Sequence, residues 1–130
     1  KKKDTHKHKQ IPINRSSVRD SLISFQIAKQ RLKENWSIVV FPEGTRSISG
    51  QLKDFKKLPF KFVKETSSDI IPVCFIGISN IAPEKSPFFR PYRVKMILGK
   101  VISNEIISKL SADELLEKVR NDIIRMSENY

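Results

Sequence analysis

The run WSIVVF, Trp36 to Phe41, leaves a folding chain few options. It is apolar on both faces and rich in β-branched residues. A strand of that kind belongs inside a sheet covered on both sides, a setting that is commonly parallel. The run stops abruptly at Pro42-Glu43-Gly44. A second run, DIIPVCFIG from Asp69 to Gly77, reads as another buried strand. Pro72 within it cannot donate to a sheet ladder and marks an irregularity or an edge.

Helical patterns lie around these runs. Ser16 or Ser17 can cap a helix, and Val18, Leu22, Phe25, Ile27, Ala28 and Leu32 predict one over about 18–34. Residues 59–66 predict a short helix, with Pro59 acceptable in its first turn. Ser111 and Glu114 fit a capping box, and the stripe Leu115, Leu116, Val119, Ile123 and Met126 predicts a last helix packed on the sheet. IPIN (11–14) reads as a short strand, and YRVKMILGKVI (92–102) as one or two strands broken near Gly99. Residues 47–54 and 80–91 read as loops. The order points to an α/β fold with a mainly parallel central sheet flanked by helices.

At 130 residues the chain has room for one domain, read here as a basic flexible arm over 1–10 and a folded part over 11–130. No apolar run approaches the ~20 residues of a membrane span. The arm is not followed by the apolar stretch that would complete a signal peptide. The single cysteine, Cys74, excludes an intrachain disulfide and reads as a small buried hydrophobe of the second strand.

Charge narrows the partners. Lys and Arg number 25 against 14 acidic residues, a net +11 that attracts phosphates on nucleic acid, anionic lipid or a phosphorylated metabolite. The arm KKKDTHKHK has no interleaved aromatics, which disfavours a nucleic-acid stacking platform. His6 and His8, without further ligands nearby, make a poor metal site. SPFFRPYR, Ser86 to Arg93, is either a membrane-touching loop or a loop folded onto the core.

FPEGTRS, Phe41 to Ser47, follows the first strand run at its carboxyl end, where open α/β sheets hold ligands. Gly44 permits backbone conformations closed to other residues and lets a ligand approach closely. Arg46 offers a planar fork of donors suited to phosphate. Thr45 and Ser47 add hydroxyls. Glu43 cannot bind phosphate at neutral pH; it can orient Arg46, another basic group or a substrate hydroxyl. On the residues alone, a ligand site and a surface turn whose Glu and Arg face water both remain open.

VVFPEGTRS resembles the signature block of the glycerolipid acyltransferases, the group that includes 1-acyl-glycerol-3-phosphate acyltransferase. QIPINRSS is similar to an earlier block of that family ending in an arginine, here Arg15, with Asn14 where the family commonly has Asp. GQLKDFKK resembles the stretch after the signature, and DIIPVCFIG the last block. The resemblance covers about residues 10–80. It implies transfer of a fatty acyl group from acyl-CoA or acyl carrier protein to the hydroxyl of a lysophosphatidic acid or related glycerol phosphate, in phospholipid biosynthesis. Arg15 and Arg46 would hold the acceptor's phosphate, and Glu43, Gly44 and Thr45 would shape that site. No cofactor is implied beyond the acyl donor. The resemblance also implies association with an anionic membrane surface, at the cytoplasmic face.

Two departures stand out. The family's general base is a histidine with an aspartate five positions later, upstream of the Arg15 block. Five positions after His6 stands Ile11, and after His8 stands Ile13. The chain is therefore expected to lack its catalytic block and to be inactive by itself, with no catalytic residue of its own. After Lys57 the family tends to have Gly and a small residue, where this chain has Leu58-Pro59. The alternative function is a basic module that binds phospholipid without catalysis.

Overall fold

Helix α1, Val18–Lys33, realises the first amphipathic pattern. A computed structural model describes residues 11, 18–45, 51–81 and 88–129 of the chain. The expected strand at 11–14 lies outside them apart from Ile11. The chain divides into two compact units, Lys1–Val39 and Val40–Tyr130.

In the first unit, α1 buries Ser24 and Ala28. Its carboxyl end is closed by Asn35 at φ 61°, in the left-handed region that asparagine tolerates better than most residues. The Trp36 N–H donates to the Arg31 carbonyl at 3.0 Å and the Asn35 N–H to that of Leu32 at 3.0 Å, the paired bonds of a Schellman cap. The Arg31 guanidinium pairs with Glu34 at 3.1 Å and lies 5.8 Å from the centre of the Trp36 ring. A basic residue in a helix's last turn complements the negative end of its dipole.

The second unit contains α2 (Lys57–Thr66), β1 (Val73–Ile76), α3 (Ile78–Ile81), β2 (Lys95–Leu98), α4 (Asn104–Lys109) and α5 (Ala112–Glu128). Strands β1 and β2 pair antiparallel, Val73 opposite Leu98 and Ile76 opposite Lys95. An isolated bridge joins Ile70 to Ile102 beyond them. Pro72 interrupts the first strand as its missing N–H requires. Its carbonyl instead accepts the Gly99 N–H at 2.8 Å.

The core gathers Phe55, Phe60, Ile102, Ile107, Leu115 and Val119, with Leu52, Val63, Ile70, Leu110, Leu116 and Ile123 packed around it. Phe55 and Phe60 stack with centroids 6.1 Å apart. Helix α5 lies against α2 and β1. Its amino end carries the expected capping box: the Glu114 N–H donates to Ser111 Oγ at 3.2 Å and the Ser111 N–H to Glu114 Oε2 at 2.7 Å. These bonds to Ser111, the backbone one foremost, hold the Glu114 carboxyl below its ordinary pKa, and Lys64 adds to the effect. Cys74 is buried on β1, as expected, and burial pushes its thiol pKa up.

Two expectations are corrected. Residues 36–41 carry no strand, and Val39 and Phe41 are exposed. An apolar strand is stable only with a ladder on its edges, and among the described residues the ladder joins β1 and β2. The sheet among the described residues is a two-stranded antiparallel one. The expected loop at 80–91 is partly helical, since α3 extends to Ile81. The short helix α4 was not anticipated. None of the described helices is long and apolar enough to cross a membrane.

Candidate phosphate site after Phe41

The turn at Pro42-Glu43 is where the sequence places a strand-ending break. The Gly44 N–H donates back to the Phe41 carbonyl at 3.1 Å. Gly44 itself sits at φ +73°, the left-handed region that a Cβ disfavours. Crowding is not the reason for glycine here, because an added Cβ would meet only the Lys56 side chain at 3.7 Å. The turn is tied to the following segment by the Lys56 N–H, which donates to the Pro42 carbonyl at 2.8 Å.

Glu43 points inward to that same segment. Its Oε2 accepts the Lys53 backbone N–H at 2.9 Å in a half-buried contact. The Lys53 ammonium in turn donates to Thr45 Oγ1 at 3.4 Å. The carboxylate thus ties together two positions ten apart in the sequence, and its partner is a backbone donor rather than a side-chain cation. A concave surface of about 490 Å3 is lined by Glu43, Thr45, Leu52, Lys53, Asp54 and Lys56.

The structure brings Glu43, Gly44 and Thr45 together in one turn beside Lys53 and Lys56. Arg15, Arg46 and Ser47 lie outside the described residues. Lys53 and Lys56 were not singled out from the sequence. Their signal was the position of KDFKK just after the signature, where a turn folding back would bring it alongside. Chemically, the lining sets the Lys53 and Lys56 ammonium groups beside the Glu43 and Asp54 carboxylates, with the Thr45 hydroxyl and a braced glycine turn next to them. Among the described residues there is no cluster of His, Cys, Asp and Glu able to hold a metal ion.

Comparison with known proteins gives this geometry a family. The family model described as Acyltransferase matches residues 5–76. A 1-acyl-sn-glycerol-3-phosphate acyltransferase of Chlamydomonas reinhardtii is 27% identical over 87% of this chain and 33% of its own length. One from Cocos nucifera is 36% identical over 88% of this chain and 35% of its own length. The chain therefore spans about a third of the length of these curated relatives. The crystal structure of the 1-acyl-sn-glycerophosphate acyltransferase PlsC from Thermotoga maritima superposes with a TM-score of 0.76 at 28% identity, covering 84% of this chain and 44% of that one. With its turn, its signature and more than half of its residues matched, the chain belongs to the acyltransferase family, in its glycerolipid group.

Proposed function

We propose that the full-length protein transfers a fatty acyl group from an acyl thioester, on CoA or acyl carrier protein, to the hydroxyl of a lysophosphatidic acid or a related glycerol phosphate. This chain supplies the acceptor's phosphate-binding part. Arg15 and Arg46 take the phosphate oxygens, Glu43 and Gly44 set the turn, and Thr45 with Lys53 lines the approach.

The observation that carries the reading is the brace from Glu43 to the Lys53 N–H. It fixes the turn at Gly44 and Thr45 in advance, so that part of the site loses little entropy on binding. In the reaction the acceptor hydroxyl oxygen attacks the thioester carbonyl carbon. The new ester C–O bond forms, the C–S bond breaks, and the thiol carrier leaves. The hydroxyl proton goes to the histidine of the family's upstream His-Asp block, a spacing that neither His6 nor His8 has, and from that histidine to the departing thiolate sulfur. Arg15 and Arg46 act by holding the acceptor so that its hydroxyl meets the carbonyl, which is positioning catalysis.

The mainly parallel sheet belongs to the same proposal. The acyl chains of acceptor and product favour work at a membrane, and the proposal sets it at the cytoplasmic face.

Acyl transfer by the full-length protein to lysophosphatidic acid, assayed with CoA and acyl-carrier thioesters, tests the proposal. Product with either donor supports it. Binding of the acceptor with no product from either donor overturns it in favour of a phospholipid-binding module.

A further inference from the structure

From Ser86 to Ser103 the chain carries four cations, Arg90, Arg93, Lys95 and Lys100, and no carboxylate. Aromatic residues stand between them. Phe88 is 75% exposed, Phe89 80% and Tyr92 58%. Rings left in water forgo the hydrophobic gain of burial, and such clusters mark interaction sites.

The display is held in shape. The Arg90 N–H donates to the Ile81 carbonyl at 2.8 Å. Pro91 fixes its own φ. Gly77, at φ +91°, lies under the Tyr92 ring and the Arg93 carbonyl, where a Cβ would stand 2.7 Å from that oxygen. A segment fixed in advance loses little entropy when it docks. Neither Arg90 nor Arg93 makes an ion pair with a described residue. Beside them opens a recess of about 770 Å3 whose lining includes Asn80, Tyr92, Arg93 and Lys95.

We infer that Phe88–Arg93 is a docking surface for an anionic lipid bilayer. The Phe89 and Tyr92 rings enter the interface, while Arg90 and Arg93 meet lipid phosphates. Rings and cations alternating within six residues match the layering of a bilayer, apolar beneath and anionic at the surface. A stretch free of carboxylates has nothing to repel that surface. The inference deepens the lipid-acceptor reading and rests on it for its setting.

The test uses the full-length protein with phosphatidylcholine vesicles, with and without phosphatidylglycerol. Phe89→Ser and Arg90→Ser should each lower partition onto the anionic vesicles, Phe89→Ser by about tenfold or more, and partition should fall as salt rises. Phe89→Trp, read against the unsubstituted protein whose Trp36 supplies the background, should add emission that shifts to the blue and is quenched on vesicles of brominated lipid. Emission unaffected by those vesicles overturns the inference, including emission already blue-shifted without lipid, which would mean that protein covers the site. Phe89→Ser should leave acyl transfer to detergent-dispersed acceptor unchanged while reducing it on vesicles. If no acyl transfer occurs at all yet Phe89→Ser still loses vesicle binding, the docking surface stands and the acyltransferase reading fails.

Discussion

The Glu43 carboxylate accepts the backbone N–H of Lys53 at 2.9 Å across ten residues of chain. Glu43→Ala should therefore destabilise the protein as well as weaken its site, because the N–H loses its charged acceptor. Such a loss costs about 1–3 kcal/mol. Glu43→Gln keeps an acceptor oxygen and should recover most of it. Urea unfolding of the three proteins checks this. Equal stability for all three would mean that the bond carries nothing.

The two positive-φ glycines should respond differently to alanine. Gly44→Ala meets no close atom, so its penalty is the left-handed backbone alone, about 1–2 kcal/mol. Gly77→Ala adds a collision with the Arg93 carbonyl at 2.7 Å to the same backbone penalty. Thermal melting should rank wild type above Gly44→Ala and that above Gly77→Ala. Reversal of the last two would contradict the geometry.

At the start of α5, Ser111→Ala removes the side-chain half of the capping box and should cost about 1 kcal/mol. The Glu114 half is pH-dependent. Its folded pKa is lowered from 4.5, so its contribution is complete above that value and fades as pH falls through the lower folded value. Glu114→Gln should consequently be less stable than wild type at neutral pH, and the gap should close in acid. Parallel unfolding curves measured down the pH scale provide the check.

These elements also show what could be read from sequence. The two long helices were legible because their signals are local: α5 announces itself by Ser111 and Glu114 three residues apart. Helix α4 was not, because its ends are held from afar. The Asp69 carboxylate accepts the Asn104 N–H at 2.7 Å, 35 residues away. The Lys64 ammonium donates to the carbonyls of Ile107 and Leu110. Six residues with borrowed caps leave little trace in a local pattern.

Strands were the harder case for the same reason. The apolar content of Trp36–Phe41 was plain, but a strand exists only through its partner, and pairing is not local. The β1–β2 ladder likewise depends on bringing Val73 to Leu98. In the site, the glycine turn was legible from FPEGTRS, whereas the target of Glu43 was a backbone donor, which no side-chain pattern announces. Lys53 comes within reach of Thr45 only through that fold-back.

Phosphate recognition by Arg46 is tested most directly by substrate discrimination. The measurement is steady-state acyl transfer by the full-length protein, comparing lysophosphatidic acid with the monoacylglycerol that lacks its phosphate. Arg46→Ala should raise KM for lysophosphatidic acid about ten- to hundredfold, the worth of a charge-assisted contact, and leave monoacylglycerol nearly unchanged. Arg46→Lys should fall between, since an ammonium keeps the charge and loses the fork. An Arg46→Ala enzyme that still prefers the phosphorylated acceptor by the wild-type ratio would contradict the assignment.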